Sequence, residues 1–136
     1  MTFLLDTNVL SELRRIPPEP AVAAWARAQN PSELYVSAIT IMEIRIGMLR
    51  MARRDPVQAR MLEAWIETRV LPSFDGRILP VDTAVAWRCA ELHVPDPSSE
   101  RDAMIAATAL VHELTVVTRN TTDFASTGVR FLNPWR

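Results

Sequence analysis

The chain has 136 residues, of which 49% are apolar and 23% are charged, and its formal net charge is −1 at pH 7. This length and composition are typical of one globular domain, residues 1–136, and the charge excludes an overall basic field that would attract nucleic acid. With three glycines, one cysteine and no lysine, the chain has little material for a glycine-rich phosphate loop. A single cysteine excludes an internal disulfide, and the absence of lysine excludes any mechanism that needs one.

The same sequence also bears on the cellular location of the protein and on the kind of basic residue it uses. No apolar run approaches the roughly 20 residues of a membrane span, and the N-terminal FLL is too short for a signal peptide. We therefore expect a cytoplasmic protein that does not enter membranes. All 15 basic residues are arginine, which reflects either a GC-rich genome or phosphate contact through the planar guanidinium.

Short apolar strands alternate with helices along the chain. In order, the pattern predicts a strand Phe3–Asp6, helices Asn8–Arg15 and Ala21–Gln29, a strand Leu34–Ile39, helices Ile41–Arg53 and Val57–Leu71, a strand Ile78–Val81, a helix Thr83–Leu92, a helix from Ser98 or Ser99 through Leu114, and strands Thr115–Thr118 and Val129–Leu132. This alternation predicts an α/β fold with a central parallel sheet of about five strands and helices on both faces. Helices 41–53 and 57–71 should form a helical hairpin.

Several polar residues mark the predicted boundaries. Thr40 and Glu43 have the spacing of a capping box, the prolines after Arg15 end the first helix, and Asp82 should cap the helix that follows it. The stretch NTTDF is expected to be a loop.

Four acids follow strands or lie in helical turns next to strands: Asp6, Glu43, Asp102 and Asp123. In parallel sheets, ligands bind beyond the carboxyl ends of the strands, and the topology sends all four acids to that edge. Each also has an ordinary explanation, as a helix cap, a favourable charge in a first helical turn, or a loop residue. Four carboxylates in one cleft repel each other, however, and without lysine a divalent cation is the natural neutraliser.

Hard oxygen ligands select Mg²⁺, for which Mn²⁺ substitutes. Such a metal activates water and stabilises charge on a phosphodiester. Thr7, Asn8, Thr118 and Asn120 would support the carboxylates or the phosphate by hydrogen bonds. Arg119 is placed to contact a phosphate or the scissile region, although it could equally be a solvated loop residue.

The motifs DTNVLSEL, TIMEIRIG, DAMIAATAL and TRNTTDF, in this order, resemble those of PIN-domain ribonucleases, and more narrowly the VapC toxins of type II toxin–antitoxin systems. The closing TGVRFLNPW is similar to the FitB-like branch. The resemblance covers essentially the whole chain, and it implies a Mg²⁺-dependent endoribonuclease that cleaves RNA, a VapB-like antitoxin that blocks the site, and a toxin homodimer.

By position, Asp6, Glu43 and Asp102 match the acidic triad of the family. The fourth position stays open, because some PIN domains have an acid where this chain has Asn120, whereas the TRNTTDF pattern offers Asp123. A catalytically silent PIN fold that serves as an interaction scaffold is the alternative function. A phospho-receiver domain is disfavoured, since it needs paired acids near the first strand and a lysine.

Other notable residues receive ordinary roles. We expect His93 and His112 to be helix residues away from the site, Cys89 to be a core thiol, and the four tryptophans to pack rather than to stack on bases. The methionines of the predicted hairpin either pack in the core or form an adaptable surface for a second copy or an antitoxin helix.

Overall fold

The computed structural model describes residues 1–136. The strands are β1 (Phe3–Leu5), β2 (Leu34–Ser37), β3 (Ile78–Leu79), β4 (Thr115–Val117) and β5 (Phe131–Leu132). The helices are α1 (Thr7–Arg14), α2 (Pro20–Arg27), α3 (Ala38–Ala52), α4 (Pro56–Trp65), α5 (Leu71–Ser73), α6 (Thr83–Glu91), α7 (Glu100–His112) and α8 (Thr121–Ala125). A 3₁₀ turn, Pro31–Glu33, precedes β2, and a π turn, Ile66–Val70, joins α4 to α5.

The five strands form one sheet in the order β3-β2-β1-β4-β5, and every neighbouring pair is parallel. Strand β1 is central, between β2 and β4. All carboxyl ends therefore meet at the same edge of the sheet, and the residues after β1 and β4 become close neighbours. The predicted α/β fold with a five-stranded parallel sheet is confirmed.

Strand β1 is buried on both faces of the sheet, as its uninterrupted apolar sequence predicts. Phe3 and Leu5 belong to a core of 13 buried residues that also contains Val9 of α1. Leu4 belongs to a second core of 9 buried residues, with Ile105 of α7. The alternation of side chains along a strand explains this division, and it fixes the position of the residue that follows β1.

The start of α3 differs from the prediction. The helix begins at Ala38, and Ser37 is its N-cap, with the Ser37 hydroxyl accepting the backbone N–H of Ile39 at 3.0 Å. Thr40 is therefore inside the helix, and the predicted capping box is wrong. Thr40 and Glu43 instead share one helix face by their spacing of three residues, and Glu43 lies in the second turn.

Two other predictions need adjustment. The stretch after Asn120 contains helix α8 rather than a loop, because five residues are too few to give a helical pattern in the sequence. The helix predicted over 57–71 is a longer helical stretch that the π turn interrupts. The predicted cap is confirmed at Asp82, whose carboxylate accepts the N–H of Val85 at 3.0 Å.

Helices α3 and α4 pack against each other as the predicted hairpin. Met48 is buried in the first core, whereas Met42 and Met61 are exposed, so the methionines are divided between the two predicted roles. None of the helices combines the length and the apolar character that crossing a membrane requires.

Candidate active site

A polar cavity of about 390 Å³ opens at the carboxyl edge of the sheet. One of its lining residues is apolar, and the others carry charges, hydroxyls or amides. They are Asp6, Thr7, Asn8, Ser11, Glu12, Arg15, Glu43, Asp102, Arg119, Asn120 and Trp135. The cavity thus collects three of the four predicted acids and four of the five predicted supporting or RNA-contacting residues.

Asp6 directly follows β1, and its side chain is only 5% exposed. One carboxylate oxygen, Oδ1, accepts the backbone N–H of Thr7 at 2.8 Å, so Asp6 is the N-cap of α1. The other, Oδ2, accepts the hydroxyl of Thr118 at 2.7 Å and the amide of Asn8 at 3.3 Å. The cap and the cavity position are therefore compatible, because the two oxygens have different partners.

Asn8 connects the end of β1 to the end of β4. Its Nδ2 also lies within 3.4 Å of the Thr118 hydroxyl, and its Oδ1 accepts the backbone N–H of Arg119 at 3.2 Å. The Thr118 hydroxyl in turn accepts the N–H of Asn120 at 3.0 Å. These bonds hold the chain after β4 at a fixed offset from the carboxylate of Asp6.

Glu43 enters the cavity from α3. Its Oε1 accepts the hydroxyl of Thr7 at 2.6 Å, and its Oε2 lies 3.8 Å from Nη1 of Arg101. Thr40, which is fully buried one turn earlier, lies 3.3 Å from the same Thr7 hydroxyl. Thr7 therefore links Glu43 to the residue next to Asp6.

Asp102 is half-buried in the first turn of α7. Burial, followed by the negative charges of Asp6, Asp123 and Glu43, raises the pKa of Asp102 from 3.8 to about 6. The pKa of Asp6 is also raised, first by burial and then by Glu43 and Asp123, although its bonds from Thr118 and Thr7 oppose the rise. The acids therefore act on one another electrostatically, as groups that surround a common space do.

Asn120 and Asp123 are the two candidates for the fourth acidic position, and they lie in different places. Asn120 lines the cavity, whereas Asp123 is exposed in α8 and is not a lining residue. The charge of Asp123 nevertheless raises the pKa of both Asp6 and Asp102. The structure therefore gives Asn120 the position in the wall and Asp123 an electrostatic influence from outside it.

Sequence reasoning identified Asn8 but missed the three other residues of the same wall of the cavity, Ser11, Glu12 and Arg15. Asn8, Ser11, Glu12 and Arg15 follow one another at intervals of three, one and three residues, which is the spacing of a single helix face. This polar stripe was visible in the sequence. Glu12 is 7% exposed and accepts the backbone N–H of Glu19 at 3.0 Å, while Arg15 Nη1 lies 3.4 Å from it. Through these side chains, α1 presents its polar face to the cavity.

The tryptophans have different environments. Trp25 packs edge-on against Phe3, with ring centroids 5.1 Å apart, as predicted for a core residue. Trp87 is 77% exposed, so the packing prediction is wrong there. Trp135 is partly packed against the first core and also lines the cavity. His93, His112 and Cys89 lie outside the cavity, and Cys89 is buried as predicted.

The donors fit a hard divalent cation, because the cavity offers carboxylate, hydroxyl and amide oxygens and no thiol or imidazole. No three His, Cys, Asp or Glu side chains converge closely enough to form a metal cage of protein atoms alone. Mg²⁺ suits this arrangement, because it usually keeps several waters and uses one or two carboxylates.

The profile of the PIN domain family matches residues 3–129. This chain belongs to the PIN domain family. Among curated relatives of this PIN domain, the VapC ribonuclease Y4jK of Sinorhizobium fredii is 41% identical over 98% of this chain and 97% of its own. Toxin FitB of Neisseria gonorrhoeae is 39% identical over 98% of each chain.

Solved structures agree with this assignment. The PIN domain superposes on a chain of the FitAcB crystal structure from Neisseria gonorrhoeae with a TM-score of 0.91, at 38% identity over 99% of both chains. A toxin-antitoxin complex from Klebsiella pneumoniae gives a TM-score of 0.69, at 29% identity over 98% of both chains. This chain therefore shares both the sequence family and the fold of these toxins.

Proposed function

We propose that this toxin is a Mg²⁺-dependent endoribonuclease whose acidic cavity holds the metal through Asp6, Glu43 and Asp102, directly or through water. The observation that carries the proposal is the convergence of these three carboxylates in one cavity without lysine, where burial and then neighbouring acidic charges raise the pKa of Asp6 and of Asp102. Carboxylates that resist ionisation together are stabilised by a cation between them.

The neighbouring side chains orient the carboxylates. Thr118 and Asn8 direct one oxygen of Asp6, and Thr7 directs one oxygen of Glu43, so each acid keeps one defined position. Such second-sphere bonds support metal affinity and activity. Bound Mg²⁺ would supply Lewis-acid charge at the scissile phosphodiester and lower the pKa of a water nucleophile.

Asp123 completes the negative field without lining the cavity. We propose that it acts through water or through its charge, while the amide of Asn120 occupies the corresponding place in the wall. Asn120 can then donate a hydrogen bond to a phosphate oxygen, which a carboxylate at that position could not do.

We further propose that a VapB-like antitoxin covers an apolar groove next to the cavity. This groove, of about 250 Å³, is lined by Ile44, Met48, Met51, Leu62 and Trp65, and it shares Thr7, Ser11 and Glu43 with the acidic cavity. An amphipathic helix placed there would bury its apolar face against α3 and α4 and would sit beside the acids. We propose that the protein is located in the cytoplasm, together with its proposed RNA substrate.

A homodimer is the second proposed assembly. Trp87 and Val94 are 77% and 75% exposed, and with Ala90 and Glu91 they border a shallow cavity of about 420 Å³. Large apolar groups are seldom left together in solvent. Multi-angle light scattering should give twice the chain mass of 15.3 kDa, and Trp87→Glu should return the mass to that of one chain.

Cleavage assays with purified protein test the proposed reaction. Wild-type protein should cleave single-stranded RNA with Mg²⁺ or Mn²⁺ and lose this activity in EDTA, whereas Asp6→Asn and Asp102→Asn should fold and remain inactive. Cleavage by either variant at the wild-type rate would refute the assigned ligands. A folded wild-type protein that binds metal without cleaving any RNA or arresting growth would favour the scaffold alternative.

A further inference from the structure

Trp135, next to the C-terminal residue, is the one apolar residue in the wall of the acidic cavity. The guanidinium carbon of Arg119 lies 5.3 Å from the centroid of its ring, the geometry of a cation–π contact. The two residues thus form a cation–π pair at the rim. We call this pair the Trp135–Arg119 stack.

Arg119 has no carboxylate partner, although the cavity beside it is rich in carboxylates. The ion pairs between side chains use other arginines: Arg15 pairs with Glu12, Arg88 pairs with Glu91, and Arg101 approaches Glu43. Arg119 is exposed and is held on the indole instead. Its positive charge and its outer face therefore remain available to a ligand in the cavity.

The stack has a fixed position relative to the proposed metal ligand. The backbone N–H of Arg119 donates to Asn8, and the same Asn8 side chain donates to Asp6. Trp135 is anchored through its backbone N–H, which donates to Oδ1 of Asn133 at 2.9 Å, and through its packing on the first core. A group bound on the stack would therefore lie at a constant distance from Asp6.

We propose that the Trp135–Arg119 stack binds an unpaired base of single-stranded RNA next to the scissile phosphate, and so sets which bond is cleaved. This inference rests on the proposed ribonuclease function. Arg119 is the contacting residue, because a base can stack on its outer face. Trp135 is a positioning residue, because its ring contacts the guanidinium of Arg119 at the cation–π distance.

Stacking suits this site better than attraction by charge alone. The protein has a net charge of −1 and its cavity is acidic, so there is little general attraction for a phosphate backbone. Unstacked RNA bases stack on arginine planes and aromatic rings, and this contact tolerates different sequences. The stack would thus select an unpaired nucleotide, and it would favour purines only through their larger ring area.

A double-mutant cycle between protein and RNA tests the inference. The substrate is a short single-stranded RNA with one mapped cleavage site, and each nucleotide beside that site is replaced in turn by an abasic ribose. Steady-state cleavage with Mg²⁺ is measured for wild type, Arg119→Gln, Trp135→Leu and Trp135→Phe. Arg130→Gln, an exposed arginine outside the cavity, is the matched control.

In wild type, one abasic position should raise KM about 5- to 100-fold, the range of one lost base stack. Arg119→Gln and Trp135→Leu should raise KM for intact RNA by a similar factor and should show no further loss with the abasic RNA. Trp135→Phe keeps an aromatic support and should restore most of the wild-type KM. Arg130→Gln should behave as wild type.

Independent losses would overturn the inference: if Arg119→Gln and the abasic position raise KM by factors that multiply, the side chain and the base do not contact each other. The inference is also wrong if Trp135→Leu, folded by circular dichroism, keeps the wild-type KM. Cleavage by wild type and its absence in Asp102→Asn are measured with the same RNA. If both are observed, either of these results would contradict the stacking inference but not the ribonuclease function.

Discussion

Replacing Asp102 by Asn should stabilise the metal-free protein at neutral pH. Burial and the charges of Asp6, Asp123 and Glu43 raise the pKa of Asp102 from 3.8 to about 6 in the folded protein. Between these values the folded state binds more protons at this position than the unfolded chain, so the free energy of unfolding falls as the pH rises. Above about pH 6 Asp102 is ionised in the folded protein, and the free energy of unfolding is reduced by the full amount.

The size of the effect follows from the same shift. A difference of about two pKa units corresponds to about 3 kcal/mol. The side chain is half-buried, so water screens part of the interaction, and we expect a gain of about 1–2 kcal/mol. For a chain of this length the midpoint of thermal unfolding, Tm, should rise by about 3–8 °C.

Thermal unfolding in EDTA at about pH 7.5 and about pH 4 measures the effect. Asp102→Asn should unfold at a higher Tm than wild type at the higher pH, and the two should converge at the lower one. Asp75→Asn makes the same chemical change at an exposed position outside the cavity and should change Tm little at either pH.

Added Mg²⁺ should reverse the order. Wild type gains about 2.7 kcal/mol when the metal is at about one hundred times its dissociation constant. This gain exceeds the advantage of about 1–2 kcal/mol expected for Asp102→Asn, which lacks one ligand and gains little. A lower Tm of Asp102→Asn in EDTA at neutral pH would refute the argument, because it would mean that the carboxylate stabilises the cavity instead of straining it.

Three further predictions concern orientation, packing and toxicity. Thr118→Val removes the hydroxyl that donates to Asp6 at 2.7 Å and should lower the cleavage rate about 10- to 100-fold, with the overall fold retained by circular dichroism. Leu4→Ala removes a fully buried side chain between β1 and α7 and should lower the free energy of unfolding by about 2–5 kcal/mol in urea denaturation. Expression without an antitoxin should arrest growth, and Asp6→Asn should abolish the arrest; arrest by both proteins would separate toxicity from the acidic cavity.

The sequence was sufficient for the sheet and for the main acids. Phe3, Leu4 and Leu5 form an uninterrupted apolar run, and such a run predicts a strand covered on both faces. Once β1 and β4 are neighbours in a parallel sheet, Asp6 and Thr118 must meet at its carboxyl edge. That contact follows from topology, and the hydrogen bond of 2.7 Å between them is its outcome.

The details that were missed depend on contacts between distant segments. Thr40 looks like a cap in the sequence, but Ser37 lies earlier on the same chain and caps the helix first, which leaves Thr40 to face Thr7. Helix α8 is too short for its period to be detected. Trp135 and Arg119 are 16 positions apart, and only the return of β5 alongside β4 brings them into contact.

Locating Mn²⁺ in crystals of the wild-type protein soaked at millimolar concentration is the decisive test of the proposed metal site. We expect an anomalous difference peak in the acidic cavity, about 2 Å from carboxylate oxygens of at least one of Asp6, Glu43 and Asp102, with waters as the remaining ligands. The same soak of Asp102→Asn should give a weaker peak. A cavity without a peak in the folded wild-type protein, or a peak bound by other residues, would contradict the proposed metal site.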